Sequence, residues 1–105
     1  MTQAELVNQL RNVISKVAYM VFSKPQELPY IVYALPDTNV VHADNAHHYT
    51  VQKGWLELYT LKPDFELMKQ VEDVFIVNGL PWEKENEVYI EGEKLFQMRW
   101  SFELI

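Results

Sequence analysis

The segment from Pro29 to Leu35 is apolar at every position, and no other feature restricts the fold of this chain so strongly. Successive side chains of a strand point to opposite faces of the sheet, so a strand built from this segment has no face suited to water. The longer stretch from Tyr49 to Leu61 repeats the requirement, with Leu56 on one face and Trp55 on the other. Other parts of the molecule must therefore cover both sides of these strands.

Two segments have the periodicity of amphipathic helices. Thr2 and Glu5 form the T-x-x-E pattern of a capping box, which predicts that the first helix begins there. The second helix opens at Pro63-Asp64 and is expected to stop at Asn78-Gly79, since glycine tolerates the left-handed conformation that ends helices. The apolar stripe of the first helix is Leu6, Leu10, Val13, Ile14 and Val17, and that of the second is Leu67, Met68, Val71, Val74 and Phe75.

The segments between the helices are interpreted as shorter extended elements and turns. Val17 to Phe22 is predicted to be extended, with a turn around Pro25. Pro36 to Ala46 is rich in Asp and Asn, which bond to their own backbone, and is predicted to be a long loop or hairpin tip. Trp82 to Glu85 and Val88 to Glu91 are predicted to be two short strands around Asn86-Glu87.

Strict alternation near the end of the sequence predicts a half-buried strand that contains Phe96, Met98, Trp100, Phe102 and Leu104. The elements then follow the order helix, strands, helix, strands, without regular βαβ alternation. This order predicts an α+β fold with a mainly antiparallel sheet and two amphipathic helices packed on one face. Residues 1–105 are expected to form a single domain and a whole small protein. The expected core is Leu6, Leu10, Ile14, Leu56, Leu58, Val71, Phe75, Met98, Trp100 and Phe102.

Charge and composition exclude several classes of protein. The formal net charge is −6 at pH 7, and because affinity for nucleic acid comes mainly from cations that displace counterions, a nucleic-acid reader is not expected. The chain has no Cys, which excludes disulfides and thiolate sites. Its apolar runs are far shorter than the roughly 20 residues of a membrane-spanning helix. The first residues lack the pattern of a signal peptide, so an intracellular product is expected.

Four potential metal ligands lie within seven residues, namely His42, Asp44, His47 and His48. Imidazole and carboxylate groups are typical ligands of zinc and similar ions. Adjacent residues of a strand point to opposite faces, however, so at most one of His47 and His48 can join the others. A polar loop with exposed imidazoles is the interpretation we favour, and we predict neither a metal site nor a cofactor.

The sequence also gives no support for a catalytic site. Carboxylates between Glu83 and Glu93 are numerous, and paired carboxylates can act as acid and base when burial separates their pKa values. The interspersed Lys84 and Lys94 instead indicate a solvated face. No serine lies in a nucleophile elbow, and the three glycines are too isolated to form a phosphate-binding loop. We therefore predict that the protein is not an enzyme.

Aromatic residues are more numerous than two short helices can cover. Tyr and Trp are favoured at protein interfaces because they bury a large area at a small cost in entropy. Self-association or docking is one function that they indicate, and a monomer whose two-sided strands lie at the centre of the sheet explains them equally well. The candidates for a subunit interface are Tyr30, Tyr33, Tyr49, Trp55 and Tyr59.

The order of several short segments resembles the small neck proteins of long-tailed bacteriophages and prophages, known as tail-completion or tail-terminator proteins. The resemblance covers roughly residues 28 to 104 and depends on the order of the segments more than on any one of them. The segments are Leu28-Pro29-Tyr30-Ile31-Val32-Tyr33, Asn39 to His42 with Ala43-Asp44-Asn45, Leu56-Glu57-Leu58-Tyr59-Thr60 with Lys62 and Asp64, Tyr89 to Phe96, and Phe102-Glu103-Leu104.

This resemblance implies a protomer that assembles as a six-membered ring on the end of the tail tube, stops its polymerisation and presents the surface that joins the filled head. The implied partners are other copies of the chain, the tail tube protein and a head-completion or connector protein. The implied location is the neck of a virion assembled in the host cytoplasm, without catalysis. A head-completion or stopper protein is the alternative, followed by a small metal-dependent enzyme and a monomeric adaptor domain.

An acidic protein suits a ring through which DNA must slide, because its lumen should repel phosphate rather than bind it. The sequence does not identify which carboxylates face such a lumen. Two segments offer candidates, the loop around residue 40 and the acidic region after residue 82. The candidates are Asp37, Asp44, Glu83, Glu85 and Glu87.

Overall fold

The computed structural model describes residues 1–42 and 48–105, and it describes side chains outside residues 39–49. Within these ranges the chain forms two helices and five strands, which confirms the predicted α+β fold. The elements in chain order are α1 (Gln3–Val13), β1 (Val17–Tyr19), β2 (Tyr30–His42), β3 (His48–Thr60), α2 (Phe65–Val77), β4 (Trp82–Ile90) and β5 (Leu95–Leu104).

The strands form one sheet in the order β1-β2-β3-β5-β4. β1 runs parallel to β2, and the three remaining pairs are antiparallel, so the sheet is mainly antiparallel as predicted. The two strands with apolar side chains on both faces, β2 and β3, lie inside the sheet rather than at its edges. Their position explains why neither face of these strands is suited to water.

Both helices pack on one side of the sheet, here called the helix face, and the opposite side is called the open face. Leu56 and Leu58 of β3 lie on the helix face opposite Trp100 and Met98 of β5. The hydrophobic core contains all ten residues expected from the sequence, which confirms that prediction. Trp55 and Tyr59 alternate with these core residues and therefore lie on the open face.

The capping box predicted for α1 is present. The Glu5 backbone N–H donates to the Thr2 hydroxyl at 3.1 Å, and the Thr2 N–H donates to the Glu5 carboxylate at 3.2 Å. α1 ends at Val13 rather than at Val17, because Ile14 is extended and Val17 begins the short parallel pairing with β2. Ile14 and Val17 nevertheless reach the core, so their apolar spacing reflected burial and not a continuous helix.

Asp64 caps α2 as predicted, accepting a hydrogen bond from the Leu67 backbone N–H at 3.1 Å. The helix is followed by Gly79 with φ +64°, the left-handed conformation that the sequence led us to expect there.

The prediction of a long loop or hairpin tip from Pro36 to Ala46 was wrong for Pro36 to His42, and residues 43–46 lie outside the described residues. β2 continues to His42 and pairs with β3 from Asp37↔Lys53 to His42↔His48, with a register irregularity between Ala34 and Asp37. Ladder hydrogen bonds between the two strands outweigh the preference of Asp and Asn for turns. We call the paired segments 37–42 and 48–53 the ribbon. Residues 48–51 of the ribbon lie beyond β5, whose pairing with β3 begins at Gln52.

The prediction of two short strands around Asn86-Glu87 was also wrong. β4 is one strand, with a register irregularity between Lys84 and Asn86 in its pairing with β5. The reversal of the chain lies further on, between Ile90 and Leu95, where Lys94 has φ +55°. A bulge absorbs the extra residue in β4, so the polar Asn86 does not have to lie in a turn.

Candidate functional site

The open face carries three of the five aromatic residues proposed for a subunit interface. Tyr30 lies opposite Tyr59 in the pairing of β2 with β3, and Trp55 lies opposite Ala34. The rings of Tyr30 and Tyr59 stack with centroids 4.8 Å apart, and Phe22 packs edge-on against Tyr30 at 5.5 Å. All three candidate side chains are half-buried. These rings therefore pack within their own chain and still leave surface for a partner.

Tyr33 does not lie with the other candidates. It is 4% exposed on the helix face, where its hydroxyl accepts a hydrogen bond from the Gln3 side chain at 2.8 Å. Tyr30 and Tyr33 are three residues apart, so in one strand they point to opposite faces, and this spacing was the signal that separates them. Tyr33 is thus part of the core within one chain. Tyr49 pairs with Val41 along the backbone, and its side chain lies outside the described residues.

A buried carboxylate lies between the aromatic rings of the open face. Glu57 is 8% exposed. It accepts hydrogen bonds from the Tyr59 hydroxyl at 3.1 Å, from the Gln97 amide and from the Arg99 guanidinium at 3.0 Å. A buried carboxylate is tolerated when donors of this kind replace its hydration. No spacing in the sequence identifies this network, although a lone Glu within an apolar strand is a signal that a charged partner lies on a neighbouring strand.

Arg99 links the buried carboxylate to the edge of the sheet. Its guanidinium lies 4.9 Å from the centroid of the Trp55 ring, a distance typical of a cation–π contact. The same guanidinium donates to the Glu85 carboxylate of β4 at 2.9 Å. Trp55, Glu57 and Glu85 are therefore held by one cation, which orders the surface of three adjacent strands.

The environment of Glu57 also changes the acidity of the nearby tyrosines. Burial, followed by the negative charge of Glu57 and the hydrogen bond to it, raises the pKa of Tyr59 to about 12. Burial, followed by the charges of Glu93 and Glu57, also raises the pKa of Tyr30. Both hydroxyls remain protonated at neutral pH, so the network consists of one anion, one cation and neutral donors.

The segment between β1 and β2, residues 20–29, passes over one end of the open face. A cavity of about 410 Å³ lies between this segment and the sheet. Its lining includes Phe22, Lys24, Tyr30, Val32, Glu57 and Tyr59. The polar groups of Glu57 and Tyr59 are engaged with each other, and the polar side chains of Ser23, Lys24 and Gln26 also line the cavity.

The acidic candidates for a DNA channel lie in two different places. Asp37 is exposed at the base of the ribbon, opposite Lys53. Asp44 lies outside the described residues. Glu83, Glu85 and Glu87 are exposed along β4, which is one strand at an edge of the sheet rather than the two short strands predicted there. Two of them have cationic partners, since Glu85 pairs with Arg99 and Glu87 pairs with Lys84.

The described part of the chain contains no group of three His, Asp or Glu residues arranged to hold a metal ion. Of the four potential ligands near residue 45, His42 and His48 are paired along the backbone at the end of the ribbon, and Asp44 and His47 lie outside the described residues. None of the helices in residues 1–42 and 48–105 is long and apolar enough to cross a membrane.

Comparison with known proteins gives a similarity in fold. No protein-family model matches the sequence, and no curated protein matches it. Among solved structures, the chain is similar to a chain from the virion of a native gene transfer agent (GTA) particle, with a TM-score of 0.50. The two chains are 13% identical, and the match covers 93% of this chain and 88% of the other. At this identity the match shows that the two chains share a fold.

Proposed function

We propose that this chain is a structural protein of a phage-like virion and that it acts in the neck as a tail terminator. The observation that carries the proposal is the fold shared with a chain of a GTA virion, a phage-like particle. The similarity covers 93% of one chain and 88% of the other, so it extends over most of each chain rather than over one common motif.

The resemblance in sequence supports the same conclusion independently. Most of its segments within the described residues fall on β2 and β3, inside the sheet, and on the end of β4 with β5. These strands make up most of the five-stranded sheet of this chain. A terminator then acts as a ring of six copies that caps the tail tube, ends its polymerisation and forms the surface for joining the head.

Ring formation requires that each subunit bury a patch of surface against each neighbour. The half-buried rings of Tyr30, Trp55 and Tyr59 are the first candidates for such a patch, because ring stacking and the network around Glu57 hold them in position before any partner binds. Preordered aromatic side chains lose little conformational entropy on association. This arrangement binds protein surfaces and needs neither a cofactor nor a catalytic group.

DNA passes through the lumen of such a ring without specific binding, on its way between head and tail. Carboxylates that face the lumen keep the phosphates from adhering to the wall. Exposed Asp37 on the ribbon and the carboxylates of Glu83, Glu85 and Glu87 on β4 are the candidates for this lining. The tail tube protein and a head-completion or connector protein are the partners on the two sides of the ring.

A tube-capping assay tests the proposed role. The purified protein is added to a tail tube protein from the same particle while the tubes polymerise, and tube lengths are measured by electron microscopy. A terminator stops growth and appears as a ring at one tube end. Tubes that grow unchanged, with the protein bound instead to connector complexes, would establish the stopper role, and binding to neither would refute a function in the neck.

Trp55→Ala tests the open face within the same assay. Trp55 is half-buried under Arg99, so we expect the variant to fold and to lose capping, because an interface anchor contributes mainly to association. Phe65→Ala is the matched control, since Phe65 is an exposed aromatic residue on α2. Capping by Trp55→Ala at the level of Phe65→Ala would exclude Trp55 from the contact.

A further inference from the structure

The sheet ends in two strands, β1 and β4, whose outer edges pair with no other strand in the described part of the chain. Edge strands of monomeric proteins are normally protected by charge, bulges or covering segments. β4 has both charges and a bulge, but both edges of this sheet expose large apolar side chains, and those at the β1 edge are consecutive, as at surfaces of interaction. They are Tyr19, Met20 and Val21 at the β1 edge, and Trp82, Val88 and Tyr89 on β4.

The backbone conformation at the β1 edge leaves the apolar side chains there exposed to solvent. Met20 has φ +63°, in the left-handed region that residues other than glycine seldom adopt, and the Val21 N–H donates to the Tyr19 carbonyl at 2.7 Å. Met20 is 57% exposed and Val21 is 73% exposed. The next residue, Phe22, packs against Tyr30 and fixes this turn to the open face. The turn is thus an ordered apolar projection rather than part of the core.

The two edges differ in the sign of their charge. Residues 14–29, which surround β1, contain Lys16 and Lys24 with one carboxylate, a net charge of +1. Residues 82–94, which comprise β4 and its turn, contain five carboxylates and two lysines, a net charge of −3. Two β4 edges would therefore repel each other, whereas a β4 edge and a β1 edge attract.

We propose that the β1 edge of one copy binds the β4 edge of the next copy, head to tail. The inference rests on the proposed function, because it supplies a lateral contact of the ring that adjoins the aromatic patch of the open face where Phe22 packs against Tyr30. A heterologous contact of this kind joins unlike surfaces and closes into a ring when the rotation between neighbours permits. Glu83 and Val88 then lie within the contact, and Asp37 on the ribbon remains as the candidate for the lumen.

Two double variants each block one edge. Val21→Glu with Lys24→Glu places acidic groups at the β1 edge, where they would face the carboxylates of β4. Glu83→Lys with Val88→Lys places cations on β4, and it spares the ion pairs that Lys84 and Arg99 make there. The matched control is Lys69→Glu with Ile76→Glu, which makes the same types of change on the exposed side of α2.

Sedimentation velocity over a range of protein concentration provides the measurement. We expect the unaltered chain and the α2 control to associate, and each edge variant alone to associate at least roughly tenfold more weakly. An equimolar mixture of the two edge variants should form at least a one-to-one dimer, because one working β1 edge and one working β4 edge remain. Formation of that dimer also demonstrates that both variants are folded.

Three outcomes would overturn the inference. They are an unaltered chain that stays monomeric up to millimolar concentration, edge variants that associate like the control, and a mixture that remains monomeric although circular dichroism shows both variants folded. The tube-capping assay separates this result from the proposed function. Rings that depend on the two edges but fail to cap tubes would refute only the function, and capping by both edge variants would refute only the contact.

Discussion

Gly54→Ala tests the packing of the central strand, because Gly54 lies where three strands approach closely. A Cβ atom at this position would lie 2.5 Å from the Ala34 carbonyl oxygen, 2.7 Å from Leu35 Cδ2 and 3.0 Å from Phe102 Cζ. The first of these atoms belongs to the backbone of β2, next to the register irregularity after Ala34. It cannot move away without disturbing the pairing of β2 with β3.

The loss of stability expected for Gly54→Ala follows from two opposing effects. Overpacking of a well-packed site costs typically about 1–3 kcal/mol, and replacement of Gly by Ala returns about 0.4–1 kcal/mol by restricting the unfolded chain. Because the closest contact involves a backbone atom, we expect a cost near the upper end and a net loss of about 2 kcal/mol. For a chain of this size, such a loss lowers Tm by roughly 10 °C.

Urea unfolding monitored by tryptophan fluorescence measures the change in the free energy of unfolding. Gly92→Ala is the matched control, because a Cβ at Gly92 meets no atom within 4 Å, and its effect should stay within about 0.5 kcal/mol. An unfolding midpoint for Gly54→Ala equal to that of Gly92→Ala would refute the close approach of β2, β3 and β5 at this point.

Three further predictions concern the core, the tyrosine network and the lumen. Leu58→Ala should cost about 2–5 kcal/mol because Leu58 is fully buried between the sheet and the helices, and an unchanged urea midpoint would contradict this placement. The pKa of Tyr59 is raised to about 12 from its ordinary value of 10, so between these pH values the folded state retains a proton that the unfolded state loses. The contribution of Tyr59 to stability is therefore complete below pH 10 and is lost as the pH rises through 12. Tyr59→Phe should reduce this alkaline loss of stability, and equal loss in both proteins would exclude Tyr59 as its source. Asp37→Lys should leave rings intact and slow DNA ejection from particles, with a defect that weakens as salt rises, whereas normal ejection at low salt would place Asp37 outside the lumen.

Local spacing in the sequence determined the elements whose side chains interact within one segment. The capping box of Thr2 and Glu5, the apolar stripe of α2 and the alternation along β5 each involve residues only a few positions apart. Hydrogen bonding and burial at such spacing depend on the geometry of one helix or strand, so the pattern was sufficient to predict them. The two-sided apolar strands similarly required an interior position in the sheet, which β2 and β3 occupy.

The tertiary structure alone decided which strands pair and therefore which polar residues meet. Arg99 reaches Glu57 across 42 residues of sequence, and no spacing within either segment identifies this partner. Likewise, the segment rich in Asp and Asn forms part of the ribbon because β2 pairs with β3, and β4 continues through Asn86 because it pairs with β5. The exposure of Met20 and Val21 at one edge also depends on where the sheet ends. Register and strand order arise from contacts between distant segments, whose free energy outweighs the weak local preferences of each residue.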